Sequence, residues 1–210
     1  MEWLREPEAI YQESFATIER EAALEQFPAA LRDVAVRMIH ACGMVDLADD
    51  IAWRGDVVAA VNTAIATSKP IFCDCEMVRS GVIRRFLPKG FEPECNLNDP
   101  QTPALAKSLA TTRSAAAVEL WKPKLEGAVV LIGNAPTTLF HLLELIETGG
   151  PKPAAIVAAP VGFVGAAESK QALIESQNDF PFVTVSGRRG GSAIASAALN
   201  AIIKQGSWND

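Results

Sequence analysis

Histidine occurs twice in 210 residues, tyrosine once and cysteine four times. That scarcity narrows the chemistry at once. Cys73 and Cys75 stand one residue apart, too close for an ordinary disulfide and off the usual zinc spacing. With His40 and His141 the only imidazoles, no zinc set is apparent and no metal is expected. Cys42, Cys73, Cys75 and Cys95 read as reduced or buried thiols, the usual state in a cytoplasmic protein. The chain also lacks a Gly-x-Gly-x-x-Gly fingerprint and a Walker loop, the usual signs of a bound nucleotide. The most apolar windows, 128–132 and 154–161, are far too short to span a bilayer. The first residues, Met1 to Pro7, put acid where a signal peptide needs base. Lysine and arginine total 19 against 25 acids, for a net charge of -6 with no long basic run. A nucleic-acid partner held by phosphate contacts is therefore not expected, and neither is a membrane.

What is present suits one globular domain, 1–210: 49% apolar and 21% charged residues supply an ordinary core and surface. Pro7 can open a first helix with Ile10, Phe15, Ile18 and Leu24 at helical spacing. Pro28 can open a second, with Leu31, Val34, Met38 and Ile39 on its apolar stripe and Gly43 at its end. From there short apolar runs at 51–53, 71–74, 128–132, 154–159 and 182–185 read as strands. Helical stretches at 56–68, 102–121, 136–148, 167–177 and 192–204 separate or follow them, while the proline-rich 86–103 reads as loop. This alternation predicts an α/β fold: a mostly parallel sheet with helices on both faces, plus the N-terminal helices.

In such a sheet, ligands collect where strands end and helices begin. The loops at 133–138, 160–165 and 186–192 carry small residues that let backbone approach a ligand. The last, Gly187-Arg188-Arg189-Gly190-Gly191-Ser192, combines two arginines with a helix N-terminus and reads as an anion site. Asp74 and Glu76, just past a strand end, suit either an acid pair or a helix cap. Thr111-Thr112-Arg113-Ser114 lies within the 102–121 helix, on either a ligand-facing or a solvated surface. His141, mid-helix among leucines, reads as packing. His40 has apolar neighbours, and local sequence leaves it open between core residue and proton-transfer group.

Seven segments, taken in order, resemble one family. They are Ile10-Tyr11-x-x-Ser14-Phe15, Arg37-x-Ile39-His40-Ala41-x-Gly43-Met44 and Asp74-x-x-Met77-Val78, followed by Thr112-Arg113-Ser114-Ala115-Ala116. Gly133-Asn134-Ala135-Pro136-Thr137, Pro160-Val161-Gly162-Phe163-Val164 and the 187–192 loop complete the set. The pattern is similar to that of the precorrin-8X methylmutases and their cobalt-precorrin-8 counterparts, from about residue 10 to 205.

The resemblance implies a cofactor-free isomerase of cobalamin biosynthesis. It would move a methyl group from C-11 to C-12 of a polycarboxylate corrin precursor, giving hydrogenobyrinic acid. It further implies a homodimer with active sites near the subunit interface. His40 falls on the catalytic histidine, and Tyr11, Ser14, Arg37, Arg113, Asn134 and Arg188 fall on substrate-contacting positions. The motifs do not separate a metal-free substrate from one already holding cobalt. A non-catalytic corrinoid-binding protein, an S-adenosylmethionine-dependent methyltransferase and a nucleotide-binding regulatory domain stand as rivals.

Overall fold

The structure, a computed structural model, describes residues 3–206; Met1, Glu2 and 207–210, the ends of the expected 1–210 domain, lie outside the described residues. Five strands form one sheet: β1 (Ile51–Arg54), β2 (Ile71–Cys73), β3 (Val129–Ile132), β4 (Ala155–Ala158) and β5 (Phe182–Val185). Their spatial order is β1-β5-β4-β3-β2, with β2 to β5 parallel and β1 antiparallel on the β5 edge. The α/β fold with a mostly parallel sheet is thus as the alternation of elements predicted.

Alternate residues of β2 to β5 enter two separate cores, as the period of 2 requires. Cys73, Leu131, Val157 and Val183 join one core, which also holds the buried faces of α2 (Ala29–Cys42), α3 (Val57–Ala66) and α9 (Ser192–Ile203). Phe72, Val130, Ile156 and Phe182 join the other, beneath α7 (Pro136–Glu147) and α8 (Ala166–Glu175). Burial on both faces explains why the strands read as unbroken apolar runs. Trp121, wholly buried, stacks on Phe72 at 5.3 Å between ring centroids and closes the second core.

One expected element is corrected. The single helix predicted over 102–121 is broken into α5 (Thr102–Ser108), α6 (Arg113–Ala117) and two 3₁₀ turns, Val118–Leu120 and Lys122–Lys124. Ala110 takes the left-handed conformation, with φ of 50°, which ends α5. Thr112 then caps α6 by accepting the Ala115 N–H, and its hydroxyl lies 2.8 Å from that of Thr137. A threonine side chain that bonds backbone locally competes with helix continuation, as Thr112 does here.

Two N-terminal helices complete the molecule. Glu6 caps α1 (Pro7–Glu21) through the N–H groups of Glu8 and Ala9, with Pro7 at its first position. Gly43, at φ of 70°, ends α2 by donating to the Ile39 carbonyl, so His40 falls in the last turn. α2 lies along α9, and α1 covers α2 from outside, with only Ile18 fully buried. Between α2 and β1 runs a 3₁₀ segment, Val45–Asp50. Because Ile51 pairs with Val185, this segment sits at the C-terminal edge of the parallel strands, as does the end of α2 that leads into it.

Candidate functional site

Ser14 and His40 meet across the α1–α2 contact, with Ser14 Oγ 2.9 Å from His40 Nδ1. Both are reachable from solvent, Ser14 half-buried and His40 exposed. They border a cleft of ≈ 520 Å³ whose wall includes Ile10, Thr17, Ile39 and Val45. Behind them Tyr11 stacks on Phe15 at 4.2 Å, and Phe15 packs on the His40 ring at 5.1 Å. Arg37 donates to the Tyr11 hydroxyl and lies over both the Tyr11 and Phe15 rings, at 5.7 and 5.3 Å. Spacing brings this about: Tyr11, Ser14 and Phe15 share a face of α1, and Arg37 and His40 share a face of α2.

Four of the seven residues singled out in the sequence therefore form one cluster: Tyr11, Ser14, Arg37 and His40. The other three lie along the C-terminal edge of the sheet. Asn134 follows β3 and is exposed. Arg113 opens α6, exposed, beside the Thr112–Thr137 contact that joins it to the start of α7. Arg188 follows β5, exposed, with its guanidinium 5.7 Å over the Phe163 ring. Among the described residues, no hydrogen bond or ring contact links these three to His40.

The cleft beside His40 is lined by Glu13 and Glu21 and, among the described residues, by no lysine or arginine. The cations that suit an anionic ligand are Arg37, behind the Tyr11–Phe15 stack, and the two arginines of the sheet edge. Within one chain, the His40 ring and the sheet-edge cations thus form two separate groups among the described residues.

Asp74 resolves to an anchor. Its buried carboxylate accepts the N–H groups of Gly133, Asn134 and Ala135 at 3.0, 2.9 and 2.8 Å, holding the loop that displays Asn134. Burial pushes its carboxyl above the usual range, against the pull of those three donors. Gly133 is required there, because a β-carbon would fall 2.8 Å from Ser192 Cα and from the Val78 side chain.

The 187–192 loop is corrected in part. Arg189 does not face a ligand: its guanidinium pairs with Asp46 at 2.8 Å and with Asp50. Those bonds hold its proton more tightly than usual, with the Asp50 contact foremost. Of the two arginines, Arg188 is the one among the described residues without an ion pair. His141 is more than packing, since its Nε2 lies 2.6 Å from Glu119 Oε1.

Four features escaped the sequence reading. Phe15 bridges the two halves of the His40 cluster, and its helical spacing in Tyr11-x-x-Ser14-Phe15 was the available signal. Phe163 and Val164 are 86% and 90% exposed at the sheet edge. Lys170 is wholly buried on α8; nothing in Glu168-Ser169-Lys170-Gln171 announces it. The role of Arg189 depends on Asp46 and Asp50, about 140 residues away, and spacing along the chain cannot reveal it. All four cysteines are free, and burial pushes Cys73 up and Cys95 to about 11, so these two remain thiols at neutral pH. Among the described residues no group of three or more His, Cys, Asp or Glu could hold a metal ion.

The sequence of this chain matches the family model for precorrin-8X methylmutase over residues 9–205. The chain belongs to the precorrin-8X methylmutase family. It is 52% identical to a precorrin-8X methylmutase from Sinorhizobium sp over 98% of each chain. It is 35% identical to a cobalt-precorrin-8 methylmutase from Priestia megaterium, over 94% of this chain and 87% of that one. Its fold superposes on a precorrin-8X methylmutase structure from Thermus thermophilus with a TM-score of 0.82 and 36% identity, covering 94% and 95% of the two chains. The methylmutase resemblance read from seven segments therefore extends to nearly the whole chain. Among the described residues, no helix is long and apolar enough to cross a membrane.

Proposed function

We propose that this chain is an isomerase of cobalamin biosynthesis, converting precorrin-8X to hydrogenobyrinic acid by moving a methyl group from C-11 to C-12. The observation that carries the reading is the Ser14–His40 pair at the mouth of an open cleft, in a methylmutase-family fold. The reaction is internally balanced: the C-11–methyl bond breaks, the C-12–methyl bond forms, and substrate and product are isomers. His40, as imidazolium, lends a proton to the conjugated ring, which makes the sigmatropic shift favourable, and a proton returns once the methyl group has moved. Ser14 occupies Nδ1, so Nε2 is the nitrogen assigned to the proton transfer. No cofactor is called for in this scheme.

The substrate's acetate and propionate groups suit guanidinium contacts. Arg37, Arg113 and Arg188 are assigned to them, with Tyr11 and Asn134 as neutral hydrogen-bonding neighbours. A flat macrocycle would gain little from the Glu13 and Glu21 side of His40 alone. The reading therefore includes a homodimer in which the site is completed at the subunit boundary. Exposed Met77, Phe163 and Val164, at 73%, 86% and 90%, support such a covered edge. A cytoplasmic location belongs to the same reading and is supported by the four free thiols.

Precorrin-8X is favoured over its cobalt-bearing counterpart because the 52%-identical relative carries the former name and the 35%-identical relative the latter. The test is to offer purified protein each substrate and follow the visible spectrum. Turnover of precorrin-8X supports the reading. Turnover of the cobalt form alone would move the chain to the other route, and binding without spectral change would favour a corrinoid carrier. Light scattering that reports a monomer under assay conditions would remove the homodimer.

A further inference from the structure

Lys170 on α8 is wholly buried and has no part in the chemistry proposed above. Interior lysines are rare, because the ammonium loses its water shell. Burial lowers its pKa from 10.5 to about 8, with Asp50 pulling the other way. Its Nζ donates to the backbone carbonyl of Arg189 at 2.5 Å.

That carbonyl belongs to a loop held from several sides. The Arg189 guanidinium is tied to Asp46 and Asp50 of the 45–50 segment. The Ser186 N–H donates to the Asp50 carbonyl at 2.7 Å, and the Gly191 N–H donates to the Ala159 carbonyl at 2.7 Å. At Gly190 a β-carbon would fall 2.3 Å from that same Ala159 oxygen, so only glycine lets the strand ends approach this closely. In the middle of this clamped stretch stands Arg188, exposed and without an ion pair among the described residues. The 45–50 segment begins two residues after Gly43, which ends the helix carrying His40.

We infer that Lys170, together with Asp50, is a positioning residue for the methyl shift: it fixes the 186–191 backbone so that Arg188 meets a substrate carboxylate at a set distance from His40. The inference rests on the methylmutase reading and on Arg188 as a carboxylate contact. An apolar side chain at 170 would pack in the same space at lower desolvation cost. What it would not supply is a donor for the Arg189 carbonyl or a positive charge against Asp50. A buried cation kept in such a place is explained by the geometry it enforces.

The experiment is a double-mutant cycle on the full chain with precorrin-8X, using Lys170→Met, Arg188→Ala and both, with urea denaturation of each variant. Lys170→Met is expected to stay folded, to raise KM about 10-fold and to leave kcat within about twofold. In the Arg188→Ala background it is expected to add nothing, because the residue through which it acts is gone. Lys170→Gln, which retains an N–H donor, is expected to recover most of the loss. Additive losses in the double variant, or a wild-type KM for Lys170→Met, would overturn the inference. If Lys170→Met does not fold, Asp50→Asn takes its place in the cycle with the same expectation and the same refutation. An unchanged KM for Arg188→Ala would also overturn it, while wild-type protein that fails to turn over any substrate would overturn the methylmutase reading with it.

Discussion

Ser14 Oγ and His40 Nδ1 lie 2.9 Å apart, joining two helices across 26 residues of sequence. The bond engages Nδ1, which leaves Nε2 as the ring nitrogen for the proposed proton transfer. Ser14→Ala leaves the imidazole free to rotate and to exchange tautomers. The variant is expected to lose about 10- to 100-fold in kcat with KM little changed, measured by steady-state turnover. A loss confined to KM would instead make Ser14 a substrate contact only.

Asp74 offers a test of stability rather than chemistry. Its Oδ1 accepts from Gly133 and its Oδ2 from Asn134 and Ala135. In Asp74→Asn an amide NH₂ must face one of those N–H groups, leaving a buried donor unpaired. Urea denaturation is expected to show a loss of about 1–3 kcal/mol, accompanied by weaker substrate binding as the Asn134 loop loosens. Wild-type stability would mean that the loop holds its shape without the carboxylate.

The neighbouring arginines are expected to behave oppositely. Arg189 is partly buried against Asp50 and Asp46, so Arg189→Ala leaves a half-buried carboxylate unpaired and is expected to cost about 1–2 kcal/mol of stability. Arg188, exposed, is expected to leave stability unchanged on replacement by alanine and to raise KM about 10-fold. Melting curves and KM values for the two variants decide the matter, and an exchange of the two phenotypes would refute the division.

Lys170 imposes a pH dependence whose sign follows from its shift. The folded chain releases this proton near pH 8, whereas the unfolded chain keeps it to about 10.5. Between those values the unfolded state binds more protons, so this group's contribution to stability rises with pH. At pH 7 its buried charge is a cost of about 3 kcal/mol, which fades as pH approaches 10. Cys73 and Cys95 act in the opposite sense, because their folded thiols resist ionising. The difference between wild type and Lys170→Met removes that common background. Wild type is expected to gain on the variant between pH 7 and 10 in urea denaturation, and a constant difference would count against a buried ammonium.

How much of this was legible in the sequence depends on how local each cause is. The strands were readable because two-sided burial writes itself as uninterrupted apolar runs, such as Val129–Ile132 with all four residues buried. The α2 terminus was readable from Gly43. The break at Ala110 was not, because a non-glycine residue in the left-handed conformation has no signature in the sequence. The site shows the same division. Ser14 and His40 could be named from motifs and the Tyr11–Phe15 stack follows helical spacing, but the hydrogen bond between the two helices has no sequence signal. The 187–192 loop looked like a site with two cations until the distant pair Asp46 and Asp50 claimed Arg189. Lys170 is the extreme case, since a lysine at a helical position gives no sign of being wholly enclosed.

The most direct test of His40 as proton donor is the visible spectrum of precorrin-8X during a single turnover by wild type and by His40→Ala, each in excess over substrate. Wild type is expected to yield the orange-red chromophore of hydrogenobyrinic acid, while His40→Ala binds the substrate and leaves its spectrum unchanged. Conversion by His40→Ala at the wild-type rate would contradict the assignment of His40.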